Sequence, residues 1–359
     1  MTATPVAADV AIVGGGVIGL STAERLTAHG ASVIVVDEAG ATGGATSASG
    51  GLVRALEPES EHAAWAAEGC ARYQARGWRG TWPSVRADGS LTLIDRHRLA
   101  ETTAALETVH AAGHKTDVLT ADEITRRFPG LTVPGHLLGV FEPQAGWLPA
   151  ADTVRAILRD AGDRLSLRTA RATGLLHSSS RVLGLRTSTG PVHADAVLLA
   201  AGVGSTALAA SAGVHLPLRT RAVGYCLFRT GGDSADLPTV VDRTTGAWLR
   251  RWGTGGTVLA GVVSARTDVP ATVRTGVPVA EEHRVRAVVR HRCPRLAHAR
   301  AAGGVTAYDT LATDGPGTVT VWPRPRGLVT AVGWNGGGFK LAPAVGRHAA
   351  ARILEVLNR

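Results

Sequence analysis

DVAIVGGGVIGLSTAERLTAHGASVIVVD, residues 9–37, divides into parts that follow one another without a gap. Asp9 to Val13 is a short apolar run with the bounded look of a buried parallel strand. Gly14-x-Gly16-x-x-Gly19 turns the chain. From Val17 to His29 the apolar residues Ile18, Leu20, Ala23, Leu26 and Ala28 recur at helical spacing, and Gly30 stands where a left-handed cap is expected. Ser32 to Val36 is a second buried-type strand that delivers Asp37 at its C-terminal end, 18 residues beyond Gly19. In that setting the three glycines differ in what they allow. The first permits the tight turn, the second lets backbone approach a pyrophosphate, and the third lets helix pack on strand. The helix N-terminus turns unpaired N–H groups and a positive dipole toward the phosphates. Asp37 can accept hydrogen bonds from both ribose hydroxyls, and its charge opposes a phosphorylated ribose. A dinucleotide site is predicted at Gly14, Gly16, Val17, Ile18, Gly19, Asp37 and the adjoining Glu38, with FAD and NAD both open.

Working outward, AGATGGATSASGGLVR (39–54) is too rich in glycine and small polar residues to be an element and reads as a long loop, the kind of segment that carries function. A helical pattern returns from Glu61 to Arg76. Between Pro83 and Pro149 short strands such as LTLID alternate with a helix at Leu99 to Ala112 and turn clusters, as if a second domain had begun. Leu165 to Gly202 alternates β-type runs with turns and ends in an apolar strand and another glycine turn, so the nucleotide unit resumes. AVGYCLF, GAWLRRW and TVLAGVV are further strands, with a helix near Glu281 to Val289. GLVTAV is a last buried-type strand, and after a glycine run Leu341 to Leu357 forms an amphipathic helix with Val345, Ala349, Ile353 and Leu357 on one face. The fold class is α/β, with a nucleotide unit interrupted and resumed twice.

Composition bounds the rest. At roughly 150 residues per domain the 359-residue chain has room for two. With 45% hydrophobic and 19% charged residues it is a compact soluble type, not a disordered one. Cys70, Cys226 and Cys293 lie far apart with no C-x-x-C pair, which supports neither a disulfide framework nor a cysteine metal site and suits a reducing cytoplasm. The N-terminus has no basic and apolar pattern of a secretory signal, and no apolar run reaches the length of a membrane span. The net charge of +9 comes from 36 arginines and only two lysines, Lys115 and Lys340. The arginines are scattered, without the basic run or interleaved aromatics of a nucleic-acid stripe. Arginine in place of lysine, beside abundant alanine and glycine, reflects a GC-rich bacterial genome. The oligomeric state expected by default is a monomer or homodimer.

The order of several motifs resembles the FAD-dependent amine and amino-acid oxidases of the D-amino-acid oxidase superfamily, in particular the glycine oxidase and monomeric sarcosine oxidase branch. The motifs are the first fingerprint, ATSASGGLVR, ADEITRRFPGL followed by FEPQAGWL, ADAVLLAAG, and GWNGGGFKLAPAVG. The resemblance implies FAD as the cofactor. It implies a Rossmann-like FAD-binding domain made of residues 1–85, 150–215 and 322–359, and a substrate-binding domain of residues 86–149 and 216–321 on a large mixed β-sheet. Further FAD contacts are expected from Thr46, Ser47, Ala48, Gly50, Gly51, Ala172, Ala201, Gly202, Gly336, Gly337, Gly338, Phe339 and Lys340. The glycine run permits close backbone approach, and the helix after it turns its N-terminal dipole toward the flavin pyrimidine ring.

Carried over residue by residue, Lys340 and Arg54 fall where sarcosine-oxidase-like enzymes place the two cations that hold a substrate carboxylate. The implied reaction is oxidation of a C–N bond in a small amino acid or amine, giving an imine and, with dioxygen, hydrogen peroxide. Four positions depart from the pattern. Ala307 stands where sarcosine oxidases carry the cysteine bonded to flavin, so the FAD is expected to be noncovalent. Asp309 replaces the carboxylate-binding arginine of glycine oxidases and could hold a cationic group. Leu259 replaces a lysine that assists reaction with dioxygen, which leaves open a dehydrogenase using a quinone or protein acceptor, or a non-catalytic flavoprotein subunit. Trp248, in place of a site tyrosine, would wall the pocket with apolar surface.

Overall fold

The computed structural model describes residues 6–41, 43–232, 236–253, 255–271 and 275–358. Residues 1–5 of the N-terminus read above for a signal, and Thr42 of the expected loop, lie outside the described residues.

Two eight-stranded sheets organise the chain. In the first, the strand Val6–Val13 lies between Val33–Asp37 and Val192–Leu199, with Leu165–Thr169 and Leu328–Val332 beyond them, all parallel. Thr318–Val321 closes one edge antiparallel, and a hairpin of Ala172–His177 and Val182–Thr187 attaches to Val192–Leu199. A parallel strand is covered on both faces, which is why its residues are apolar without alternation. Val10 and Ile12 pack into a cluster with the helices Val17–Ala28 and Gly338–Val356, whereas Ala11 and Val13 pack into a separate cluster on the opposite face. Gly30 adopts φ +84, the left-handed cap its position required.

The second sheet runs Arg300–Ala312, Leu218–Arg229, Thr257–Val262, Ala247–Arg251, Thr239–Asp242, Ser90–Asp95, Leu137–Glu142, Asp117–Thr120. It is mixed: only Thr239–Asp242 and Ser90–Asp95 pair in parallel. Side chains alternate across its two faces. Leu91, Leu93, Phe141, Phe228, Val240 and Leu249 pack with the helix Val279–Val289 on the far face. Ile94, Leu138 and Val140 join the cluster of the first layer on the near face. The second sheet thus roofs the first layer.

Two local findings refine the sequence reading. The loop expected throughout 39–54 ends in a short strand, Leu52–Val53, paired antiparallel with Gly146–Trp147. The last helix starts at Gly338, earlier than its apolar periodicity indicated, because left-handed turns at Asn335 (φ +53) and Gly336 (φ +86) swing the chain straight into it. Pro343 inside this helix has no N–H for the Phe339 carbonyl. The hydroxyl of Tyr73 makes that bond instead, at 2.7 Å.

Candidate active site

A cavity of about 1690 Å³ extends from the C-terminal ends of the first-sheet strands to the near face of the second sheet. Of the cofactor and substrate contacts expected from sequence, all but Gly19, Ser47 and Gly51 line it.

The nucleotide end is built from backbone. A Cβ at Gly14 (φ +110) would lie 2.3 Å from the Ala200 carbonyl oxygen, and one at Gly19 would lie 2.0 Å from that of Gly14. Gly19 therefore seats the helix on the turn without reaching the cavity. Asp37 does more than face a ribose: its carboxylate accepts from the amides of Gly15 at 2.7 Å and Ala39 at 2.9 Å and so holds the turn itself. Thr46 accepts from the amide of Val17 at 3.1 Å. Glu38 forms an exposed ion pair with Arg171, and the adjoining Ala172 also lines the cavity. Ala201 and Gly202 follow the strand Val192–Leu199 and complete the wall. Ser47 donates to the Gly44 carbonyl. Gly51 (φ +64) lies against the Leu148 carbonyl, where a Cβ would come within 2.0 Å. FAD fits the cavity on its own features: a glycine turn with no room for a Cβ, a helix N-terminus whose N-cap residue, Gly16, brings no side chain of its own over it, and, beside the glycine run, a buried Trp334 indole N–H on the cavity wall with no partner among the described residues.

The other end is built from side chains. Arg54 and Lys340 converge there from segments far apart in sequence, and both approach one carboxylate, Glu57, at 2.7 Å and 3.2 Å. Burial alone would raise the Glu57 carboxyl, but Arg54 and then Lys340 override it and hold it at about 2. Burial lowers the Lys340 ammonium from its ordinary value, with Glu57 opposing. Helix Ser60–Trp78 crosses the last helix so closely that a Cβ at Gly69 would lie 2.0 Å from the Lys340 carbonyl oxygen, and this contact sets where the ammonium stands. Phe339 stacks on Tyr73 with centroids 5.5 Å apart. Gly337 lies against the Lys340 ammonium, and Gly336 against Arg221 and Asp309.

Asp309 pairs in register with Arg221 on the neighbouring strand, with 3.7 Å between their charged atoms. Burial raises its carboxyl above the ordinary range, and Arg221 opposes. Trp248 projects from the near face of the second sheet onto Gly50, where a Cβ would meet the indole at 2.8 Å. Leu259 is fully buried and Ala307 is 4% exposed. Arg54, Lys340, Trp248 and Asp309 thus share one chamber with the glycine run. Missed from sequence were Glu57, Arg221, Arg243 at the cavity mouth, His62 and Trp334. For Glu57 a signal existed, an acid three residues after Arg54, able to pair with it.

Among the described residues there is no cluster of metal-ligating side chains, and no helix is long and apolar enough to cross a membrane. The three cysteines are buried and free.

A backbone cradle for a dinucleotide that opens directly into a cation-lined chamber under a second sheet defines a nucleotide-dependent oxidoreductase architecture. The chain belongs to the family of FAD dependent oxidoreductases, whose pattern matches residues 9–352. Among curated relatives, the 4-methylaminobutanoate oxidase (formaldehyde-forming) of Paenarthrobacter nicotinovorans is 26% identical over 96% of this chain and 43% of its own length. The monomeric sarcosine oxidase of Bacillus sp. (strain B-0618) is 26% identical over 68% of this chain and 66% of its own. A glycine oxidase of Pseudomonas putida is 30% identical over 65% of each. The matches therefore span between 43% and 66% of these relatives. Solved structures share the fold over nearly the full length. L-proline dehydrogenase from P. horikoshii has a TM-score of 0.88 at 19% identity, covering 98% of this chain and 94% of that one. Glycine oxidase from Geobacillus kaustophilus has a TM-score of 0.83 at 22% identity, covering 98% and 95%.

Proposed function

We propose that this protein oxidises the C–N bond of a small amino acid or amino-acid-like amine, with Arg54 and Lys340 binding the substrate carboxylate. The observation that carries this reading is the convergence of those two cations in the chamber that the nucleotide cradle opens into. A carboxylate entering there shares both cations with Glu57, which keeps them ordered and charged before the substrate arrives. Bound FAD supplies the acceptor for the hydride that leaves the substrate carbon. The chain's own contribution is orientation: anchoring the carboxylate fixes which face and which carbon of the substrate point toward the glycine run at 336–338. Trp248 closes the opposite wall with apolar surface and excludes water. The N-terminus of the helix Gly338–Val356 turns its amides toward charge developing at the turn. Asp309, its carboxyl raised by burial and set against Arg221, is placed to meet a second polar group of the substrate.

Anaerobic screening of flavin bleaching against amino acids, including N-methyl and cyclic ones, tests the reading. Bleaching by at least one is expected, and its loss in Arg54→Ala and Lys340→Ala. Turnover unchanged in both variants would overturn the site assignment. Dioxygen is the first acceptor to test, by hydrogen peroxide release. Leu259, fully buried and uncharged, favours a second reading in which an artificial quinone reoxidises the reduced enzyme faster than air. Ala307 offers no thiol for attachment, so acid precipitation should release the yellow cofactor into the supernatant.

A further inference from the structure

Four buried polar side chains outside this chemistry lie in one row. Arg250, Thr239, Ser90 and Glu142 come from four adjacent strands of the second sheet. Val240 opposite Leu249 puts Arg250 beside Thr239, Thr239 pairs with Ser90, and Ser90 pairs with Glu142. None is more than 3% exposed. The hydroxyls of Thr239 and Ser90 and one carboxyl oxygen of Glu142 have no hydrogen-bond partner among the described residues.

Both ends of the row grip the same stretch of chain. Arg250 donates from Nε to the Gly50 carbonyl at 2.7 Å, its guanidinium fixed over the Trp147 ring at 3.9 Å. Glu142 accepts through Oε2 from the amides of Ala55 at 2.6 Å and Leu56 at 3.3 Å. Between these grips the strand Leu52–Val53 is paired with Gly146–Trp147. Arg54 sits inside the clamped stretch, its guanidinium donates to the Leu56 carbonyl, and Glu57 follows at once. A buried acid whose hydrogen bonds go to backbone amides, with the Arg54 charge nearby, is a costly way to join two layers, since apolar packing would do so with less desolvation. Its geometry does one thing apolar packing cannot: it dictates the path of the peptide units on either side of the Arg54–Glu57 pair.

We propose that this row positions Arg54 and Glu57 for carboxylate recognition, with Glu142 as the principal positioning residue. The inference rests on the carboxylate site assigned under Proposed function. Glu142 touches no reacting group. It acts through the amides of residues 55 and 56, so reach counts for more than charge.

Two conservative variants separate those properties. Glu142→Gln keeps the reach of an acceptor oxygen and loses the charge, whereas Glu142→Asp keeps the charge and withdraws the acceptor by one methylene. Holoenzymes are titrated with propionate and with benzoate, followed by flavin absorption, and the position of Arg54 is read from crystal structures of both variants. Glu142→Asp is expected to weaken carboxylate binding about tenfold and displace Arg54, the effect of one lost buried hydrogen bond, and Glu142→Gln to stay within about threefold. In an Arg54→Ala background, Glu142→Asp should have no further effect on affinity. The proposal is overturned if the Gln variant is the weaker binder, if both match the wild type, or if the Asp effect persists without Arg54, which would make Glu142 a plain contact between layers. Should neither carboxylate perturb the wild-type flavin, the carboxylate assignment fails instead, and an unmoved Arg54 in the Asp crystal structure would then dismiss the positioning role by itself.

Discussion

The two ends of the cavity are made of different material. At the nucleotide end the contacts are backbone, the decisive residues are glycines, and the charge of Asp37 is spent largely on the turn's own amides. At the other end the contacts are side chains. Arg54, Glu57, Lys340, Arg221 and Asp309 are delivered by a loop, a helix and two strands of a different sheet. A backbone site has one answer and fails when space is taken away. A side-chain site can be retuned by one charge, and its geometry depends on whatever holds the segments that carry it.

The contrast predicts graded damage. Gly14→Val should be the most severe change, because its φ of +110 and the 2.3 Å approach to the Ala200 carbonyl leave no room for a side chain. Purified protein should retain less than roughly a tenth of the wild-type FAD, read by absorbance. If it kept its full flavin, the backbone cradle would not be rigid. Next come Arg54→Ala and Lys340→Ala, each expected to lower kcat/KM by roughly a hundredfold or more with FAD content intact, the separation that marks two distinct ends.

Glu57 gives the third test. Its folded-state value of about 2 lies below its ordinary 4.5, so its stabilising contribution is fully present above about 4.5 and is lost as pH falls toward 2. The wild type should lose on the order of 3 kcal/mol across that window, and Glu57→Gln should lie below the wild type at pH 7 with a flatter acid limb. Thermal unfolding of the holoprotein between pH 7 and about 2 reads both, and parallel curves for the two proteins would remove Glu57 from the cation cluster. Asp37→Ala should be the mildest, weakening FAD binding by about tenfold when titrated into apoprotein, because the glycine cradle remains.

Legibility from sequence follows the same division. The nucleotide end could be read because backbone requirements leave local marks: glycines at fixed offsets, a strand before and a helix after, an acid at the end of the next strand. Lys340 stood out for an unrelated reason, the scarcity of lysine. The other lysine, Lys115, is exposed. Arg221 and Arg243 were invisible among 36 arginines, and the Arg221–Asp309 pair exists only because two distant strands take one register. Glu142 lay within a quoted motif, FEPQAGWL, yet nothing local says that its side chain reaches the amides of residues 55 and 56.

The contact between Gly69 and the Lys340 carbonyl has a practical use. Gly69 lines no part of the cavity, yet it sets how close the helix Ser60–Trp78 comes to the one that carries the ammonium. Position 69 is therefore a tuning screw: a small side chain there would shift the cation without changing any atom that meets a ligand. Anyone wishing to fit a slightly longer carboxylate into this chamber could begin at a residue that never touches it.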